Sequence, residues 1–177
     1  EVHISNGLPT FTVVGLPETA VREARDRVRS AILNSRFEFP ARRITVNLAP
    51  ADLPKEGGRY DLPIALGILA ASEQINTAAL TNTACFGELA LSGECGPIKG
   101  LLPALIASKR AGQSVIIPKQ NCTEAALLRD FPIQLATSLS EICSSLNGGG
   151  TLPRVEPLQP SRPGCETQDL AEVYGQY

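Results

Sequence analysis

The sequence has 177 residues, with 16 basic against 18 acidic side chains and 43% hydrophobic residues. This length suits one domain, with or without an appendage, and this composition excludes a wholly disordered or fibrous chain. The longest apolar run, residues 62–71, has about half the length of a membrane-spanning helix. We expect no secretory leader and no membrane partner. Since the sequence contains no methionine, we also expect it to be a piece of a longer protein.

Histidine and cysteine are too sparse for most catalytic or metal-binding arrangements. His3 is the single histidine, and its place at the start of a predicted strand favours a structural role over a catalytic triad. The cysteines are widely spaced and form no Cys-x-x-Cys pair, which is typical of reduced thiols in a cytoplasmic protein rather than of a zinc or redox site. They are Cys85, Cys95, Cys122, Cys143 and Cys165. We expect no metal and no cofactor in this chain.

The first part of the chain predicts two strands, a helix and a third strand. The strands cover residues 2–5 and 11–14, joined by the turn pair Asn6-Gly7. Apolar residues then recur at intervals of three and four over residues 19–34, which predicts an amphipathic helix. The alternating residues 44–48 predict the next strand.

A polar loop and a buried helix follow. The loop covers residues 49–60, and the helix covers about residues 61–72. This helix is apolar nearly all round, so we expect it to be the central helix of the core. Asp61 stands at its start, where a carboxylate can cap free N–H groups.

The remaining elements alternate between strands and helices, which indicates an α/β or α+β fold. A predicted strand over residues 84–91 turns at Ser92-Gly93 into a second arm that ends at Pro97. It is followed by a helix (100–111), a strand (114–117), a helix (122–128), a strand (133–136) and a helix (139–146).

Residues 148–168 have a different composition. They contain four glycines and four prolines without apolar periodicity, which predicts an extended linker. Residues 169–177 resemble the start of a further unit.

Three motifs resemble one protein family. They are Gly-Leu-Pro-Glu-Thr-Ala-Val at residues 15–21, Asn-Leu-Ala-Pro-Ala-Asp-Leu-Pro-Lys-Glu-Gly, which begins the matching segment 47–67, and Gly-Glu-Leu-Ala-Leu-Ser-Gly at residues 87–93. On these motifs residues 1–147 resemble the N-terminal domain of the magnesium-chelatase-like AAA+ ATPases of the competence protein ComM family. The resemblance implies a parent hexameric ATPase that acts on DNA in recombination or natural transformation as a branch-migration helicase. It makes residues 169–177 the truncated start of the ATPase domain.

More distantly, the chain is similar to the proteolytic domain of Lon. The shared fold is that of the second domain of a small-subunit ribosomal protein, so the resemblance implies a Lon-protease-like, two-layer α+β sandwich. Lon uses a Ser-Lys dyad, and the corresponding positions here hold Asp61 and Leu102. A carboxylate has no hydroxyl with which to attack, and a leucine cannot act as the base. A shift of one residue in the alignment would retain Lys99 or Lys55 as the lysine, but it would supply no serine, so we expect no catalytic residue.

Nucleotide binding and metal chelation are equally unsupported by the residues. A P-loop needs a Gly-Lys dipeptide, and the sequence contains none. The three consecutive glycines at residues 148–150 follow a predicted helix rather than a strand, so we interpret them as linker. The resemblance assigns ATP and magnesium to the ATPase domain of the parent protein, beyond residue 177. The carboxylates are too dispersed to form a magnesium or porphyrin site.

Positive charge is concentrated in one part of the chain. Residues 20–60 contain nine basic against five acidic side chains, whereas the remainder contains seven against thirteen. Three of the arginines have the spacing of one helix face. Arginine also dominates over lysine, which favours bidentate phosphate contacts. The nucleic-acid or interface candidates are Arg22, Arg25, Arg29, Arg36, Arg42 and Arg43.

Three functions are compatible with these observations. The first is a non-catalytic accessory domain that contacts DNA or organises the ring, with its own AAA+ domain and the neighbouring subunits as partners. The second is a protein-interaction module that recruits a partner without touching nucleic acid. The third, a cryptic peptidase, is disfavoured by the dyad positions. A solvated helix face neutralised by Glu23 and Asp26 is the structural alternative for the arginines, and the low aromatic content of 5% argues against base stacking.

Overall fold

The computed structural model describes residues 1–156 except residues 16, 18, 51, 53, 54, 56 and 129, and it describes Ala20 and Arg22 by their backbone alone. Its secondary structure is mixed, so the predicted α+β class is confirmed. The remainder of the predicted linker, the truncated unit at residues 169–177, Cys165 and the side chain of Arg22 lie outside the described residues. No helix in the described part of the chain combines the length and apolarity needed to cross a membrane.

Helices and strands alternate along the described chain. The α-helices are α1 (Thr19–Arg22), α2 (Ala24–Asn34), α3 (Asp61–Ala71), α4 (Leu102–Arg110), α5 (Cys122–Ala125) and α6 (Leu139–Leu146). Short 3-10 turns cover Gly58–Tyr60, Ala78–Leu80 and Lys119–Asn121. The strands are β1 (Val2–Ser5), β2 (Thr10–Val14), β3 (Arg43–Asn47), β4 (Thr83–Cys85), β5 (Glu88–Leu89), β6 (Cys95–Gly96), β7 (Ser114–Pro118) and β8 (Ile133–Ala136).

The first sheet has the strand order β1-β3-β2. Strand β3 is antiparallel to β1 and parallel to β2, so the two strands flanking Asn6-Gly7 do not pair with each other. The connection between them is longer than a two-residue hairpin turn, and it carries the chain across the end of β3. This arrangement leaves β2 at an edge of the sheet.

The second sheet consists of parallel strands in the order β4-β7-β8, and β5 and β6 form a separate two-stranded ribbon. The central strand β7 is buried on both faces, as parallel strands usually are. Ile116 packs into one hydrophobic cluster with α2, α3 and α6, whereas Val115 and Ile117 pack into a second cluster with α4 and α5. The two clusters therefore meet across this strand.

Helix α3 is the buried central helix that its composition predicts. It packs against α2 and β1, and its large apolar residues are almost completely buried. Gly67 permits the close approach of β1, because a Cβ atom at this position would lie 2.6 Å from Cγ2 of Val2. At its start, α3 also contacts β5 of the two-stranded ribbon.

Three predicted segments differ most from the structure. The predicted helix over residues 19–34 is divided into α1 and α2 at Glu23, whose carbonyl accepts from the N–H of Asp26, three residues on (3.3 Å). The predicted strand over residues 84–91 is divided into β4 and β5, because the carbonyl of Gly87 accepts from Leu62 N–H at the start of α3 (2.9 Å).

The third difference concerns the start of the predicted linker. Leu152 is buried in the first hydrophobic cluster. Val155 N–H donates to the carbonyl of Ile133 in β8 (3.0 Å), and Leu135 N–H donates to the carbonyl of Pro153 (2.8 Å). The segment from Leu152 to Val155 is therefore held against the edge of the second sheet.

Candidate nucleic-acid interface

The two faces of α2 carry arginines in different environments. Ala24, Val28, Ala31 and Ile32 are completely buried and define the face directed at the core. Arg25 and Arg29 are exposed on the opposite face, as their separation of four residues predicts. Arg27 falls between them in sequence but lies on the buried side.

The exposed face of α2 forms one wall of a groove with a volume of about 720 Å³. The edge strand β2 forms a second wall, and the loop between α2 and β3 closes the end. Of the five candidate arginines whose side chains are described, three line this groove. The lining residues are Pro9, Thr10, Phe11, Thr12, Arg25, Arg29, Phe39, Pro40, Ala41 and Arg42.

The groove is positively charged. No acidic side chain is among the described residues that line it. The nearest ionic neutralisation is the pair between Arg25 Nε and Asp26 Oδ1 at 3.8 Å, in which both side chains are largely exposed. An exposed pair of this kind is weak and leaves the arginine available to a ligand. The structural alternative was neutralisation of the helix face by Glu23 and Asp26. Among the described residues, the ion pair that the structure shows on this face is the exposed contact between Arg25 and Asp26.

Two phenylalanines lie at the groove as well. The ring centroids of Phe11 and Phe39 are 6.4 Å apart with an interplanar angle of 33°, within the usual range for aromatic pairs. The guanidinium carbon of Arg29 lies 5.9 Å from the centroid of Phe39, a cation–π contact. This pair could not be predicted from the sequence, because the two rings come from a strand and a loop that are distant in sequence.

The other two candidate arginines whose side chains the structure describes, Arg36 and Arg43, lie elsewhere. Arg43 is the first residue of β3 and directly precedes the buried Ile44. Since side chains alternate along a strand, Arg43 and Ile44 face opposite sides of the first sheet. Arg36 follows the end of α2 with a φ of 65°, and it does not line the groove.

Asp61 and Arg27 form an ion pair beneath the groove. Arg27 Nε donates to Asp61 Oδ2 at 2.7 Å, and Arg27 Nη2 donates to Asp61 Oδ1 at 3.0 Å. The backbone N–H of Leu89 also donates to Asp61 Oδ2 at 3.3 Å. The predicted capping role of Asp61 is therefore wrong: the residue is the first of α3, but its carboxylate is directed at α2 and β5.

Burial dominates the ionisation of this pair. The Asp61 residue is 0% exposed, and burial raises the pKa of its carboxyl group, while the hydrogen bonds from Arg27 oppose that rise. The same hydrogen bonds raise the pKa of Arg27. A charged carboxylate at this depth needs such a partner, so the pair fastens α2 to the start of α3.

The other residues compared with the Lon dyad make hydrogen bonds within the fold. Leu102 begins α4, and its N–H donates to Glu124 Oε1 at 2.8 Å. Lys55 is 3% exposed, and its ammonium group donates to the carbonyl of Pro50. Lys99 is exposed, and its carbonyl accepts from Arg59 Nη2 at 3.2 Å.

A small cleft of about 210 Å³ lies beside the residues that lead into α3. Its described lining includes no serine, threonine, cysteine or histidine, so it presents no side-chain nucleophile of those types. The lining residues are Gly57, Gly58, Arg59, Glu88, Pro97, Ile98 and Lys99.

Among the described cysteines, Cys95 and Cys143 are buried, whereas Cys85 and Cys122 are partly exposed. Burial raises the pKa of the Cys85, Cys95 and Cys143 thiols to about 12, which suppresses the reactive thiolate. Within the described residues, no group of three or more histidine, cysteine, aspartate or glutamate side chains is arranged to hold a metal ion. His3 is an exposed residue of β1 paired in register with Thr45.

Comparison with known families identifies a match over most of the described chain. The family model described as "Subunit ChlI of Mg-chelatase" matches residues 1–121. This range includes both faces of α2, the groove and the Arg27–Asp61 pair.

Several curated proteins are similar to the chain. The competence protein ComM of Haemophilus influenzae is 49% identical over 99% of this chain and 35% of its own length. The protein YifB of Salmonella typhimurium is 51% identical with the same coverage of 99% and 35%. Lon protease 2 of Bacillus subtilis is 37% identical over 46% of this chain and 14% of its own length. The chain thus spans about a third of the length of ComM and YifB.

Proposed function

Because the chain belongs to the family of the Mg-chelatase subunit ChlI, we propose that it is a non-catalytic accessory domain of a hexameric AAA+ ATPase. The parent protein would process DNA in recombination or natural transformation as an ATP-dependent branch-migration helicase, which agrees with the similarity to a competence protein. ATP and magnesium would be bound by the ATPase domain of the parent. The role of the present chain is to contact DNA through its arginine groove.

The observation that carries this proposal is the convergence of Arg25, Arg29 and Arg42 on one groove. Guanidinium groups from a helix and a loop can contact successive phosphates with bidentate geometry. With no acid among its described lining residues, the groove offers a nucleic-acid backbone attraction that salt screens.

The Arg27–Asp61 pair supports a non-catalytic role. The resemblance to Lon implies that Asp61 and Leu102 stand at the dyad positions, and the Asp61 carboxylate accepts two hydrogen bonds from Arg27. Leu102 supplies no base at the second position of the dyad. We therefore expect no acyl-enzyme chemistry, and a serine-directed acylating probe should leave the chain unlabelled.

The DNA contact is tested by fluorescence anisotropy with the 177-residue chain and labelled DNA. We expect the double variant Arg25→Glu/Arg29→Glu to bind at least about tenfold more weakly at about 0.1 M salt, since each lost phosphate contact costs about fivefold there. The control is Arg110→Glu/Lys119→Glu, which changes the net charge equally at exposed sites outside the groove. Equal weakening by both double variants would contradict a specific groove.

The second candidate function is recruitment of a protein partner, and the free edge of β2 favours it. Residues 9–12 line the groove along an edge that the described strands leave unpaired, and an extended acidic peptide could add to it. Binding of such peptides without any binding of DNA would support this candidate over the first.

A further inference from the structure

We infer that the arginine groove is a single-strand site, in which an unstacked base packs on Phe39 while neighbouring phosphates contact the arginines. This inference rests on the proposed DNA contact and names the form of nucleic acid that the groove takes. It comes from the combination of an aromatic pair and three arginines around one groove.

The dimensions of the groove suit a nucleotide. Its volume of about 720 Å³ lies inside the range of about 300–1,000 Å³ that small-molecule sites occupy. Phe39 and Phe11 are half-buried and packed on the first hydrophobic cluster, which holds the rings in place while leaving part of each at the surface. Rings fixed in this way offer a stacking surface at a low entropic cost.

The chemistry of the lining favours single strands over duplex DNA. Bases in a duplex are paired and stacked on one another, so they have no free face to place against an aromatic ring. An unpaired base does have one, and every base has such a face, so the site would tolerate any sequence. Thr10 and Thr12 on β2 line the groove too, and threonine hydroxyl groups can donate to phosphate or sugar oxygens.

A base can stack on Phe39 only when the Arg29 guanidinium leaves the face of the ring. Its guanidinium lies over the ring, where an exposed cation–π contact contributes about two- to fivefold to an equilibrium. Stacking of a base on an aromatic ring contributes about five- to 150-fold. Arg29 is exposed and flexible enough to swing to a phosphate, so the exchange of a cation for a base on Phe39 favours the bound state.

The test compares Phe39→Leu with the matched control Phe37→Leu. Phe37 also packs on the first hydrophobic cluster but lies outside this groove. Each variant of the 177-residue chain is titrated against a labelled strand of about 16 thymidines, the upper end of typical site sizes, and against a duplex. Thermal unfolding verifies that both variants fold. If Phe39→Leu does not fold, Phe39→Trp, which keeps an aromatic ring, is titrated in its place.

We expect Phe39→Leu to weaken single-strand binding about fivefold or more and to leave duplex binding unchanged. Phe37→Leu should change neither, and Phe39→Trp should bind single strands at least as tightly as the unmodified chain. Unchanged single-strand affinity in Phe39→Leu, with loss only on reversal of Arg25 and Arg29, would overturn this inference and leave the proposed DNA contact standing. If the unmodified chain bound neither single-stranded nor duplex DNA, the proposed DNA contact itself would be contradicted.

Discussion

Helix α2 carries one partly buried arginine and two exposed arginines within five residues. Arg27 faces α3 and holds Asp61 through two hydrogen bonds of 2.7 and 3.0 Å. Arg25 and Arg29 face the groove, where Arg25 has one exposed contact at 3.8 Å and Arg29 lies over Phe39. The same residue type therefore fixes the fold on one side of the helix and remains available to a ligand on the other.

The difference arises from helix phase. Arg27 is three residues after Ala24 and four before Ala31, both completely buried, so the helix repeat carries it inward. Arg25 and Arg29 are four residues apart on the other face. Because an unpaired carboxylate at the depth of Asp61 would be costly, the inward-facing Arg27 is paired with it.

The largest expected contrast concerns the thiols of the core around α3. With pKa values of about 12, against 9.0 for a free thiol, Cys85, Cys95 and Cys143 hold about a thousandfold less thiolate at neutral pH than an exposed cysteine. We expect iodoacetamide at pH 7.5 to leave them unmodified in the native chain and to modify them in urea, as read by peptide mass spectrometry. Rapid native alkylation of Cys95 would show that this core opens.

The next largest effect is on stability. Arg27→Ala leaves the Asp61 carboxylate buried without its partner, and we expect a loss of about 3 kcal/mol in the free energy of unfolding. This value is at the low end for buried pairs because the Arg27 side chain keeps 25% of its exposure. Chemical denaturation measures it. Arg25→Ala, the same change at an exposed position, should cost less than about 0.5 kcal/mol.

The pH dependence of that loss gives an independent check on its cause. Burial raises the pKa of Asp61, and removal of Arg27 raises it further, so folding of the variant favours the protonated carboxyl group. Stability from such a group is present at low pH and lost as pH rises through the folded-state pKa. Arg27→Ala should therefore be less destabilised at about pH 5 than at about pH 7.5. A loss independent of pH would assign the effect to packing of the arginine side chain.

The salt dependence of DNA binding sharpens the other half of the comparison. The logarithm of the affinity should fall with the logarithm of salt concentration, and each removed phosphate contact should reduce the slope by about 0.7 for a single strand. Arg25→Gln/Arg29→Gln should thus reduce the slope by about 1.4, measured by anisotropy between about 50 and 200 mM salt. An unchanged slope would place the phosphate contacts outside the exposed face of α2.

The smallest expected effect separates the remaining candidate arginines. Arg42→Gln removes a cation that lines the groove and should weaken single-strand binding about fivefold. Arg36→Gln removes an exposed cation outside it and should change the affinity less than about twofold. Equal effects of the two substitutions would indicate attraction to overall charge, without a defined groove.

Much of this arrangement follows from sequence periodicity. Strand β1, strand β8 and helix α6 have the bounds that their patterns predict, and the apolar composition of α3 identifies it as the central helix. Local patterns did not predict that β3 separates β1 from β2, because strand pairing depends on contacts between distant residues. Gly87 likewise divides a continuous apolar pattern by pairing its carbonyl with α3.

The candidate arginines, but no groove, were predicted from the sequence, and their contact with nucleic acid stays a prediction. Arg25, Arg29 and Arg42 are recognisable as a basic cluster, and the structure brings these three to one groove. Phe11 and Phe39 could not be assigned to it from sequence because their proximity depends on the loop that follows α2. Arg27 carried a usable signal, since it shares the spacing of the buried alanines, and a buried acid at the head of an apolar helix requires a cation.

The most direct test of the groove is an NMR titration of the 15N-labelled 177-residue chain with a short single-stranded oligonucleotide. Backbone amide shifts report which residues a ligand contacts. The account predicts that the largest changes fall on residues 10–12, Arg25, Arg29 and residues 41–42, with little change in the β4-β7-β8 sheet. Saturating changes on that second sheet, with the groove unperturbed, would contradict it.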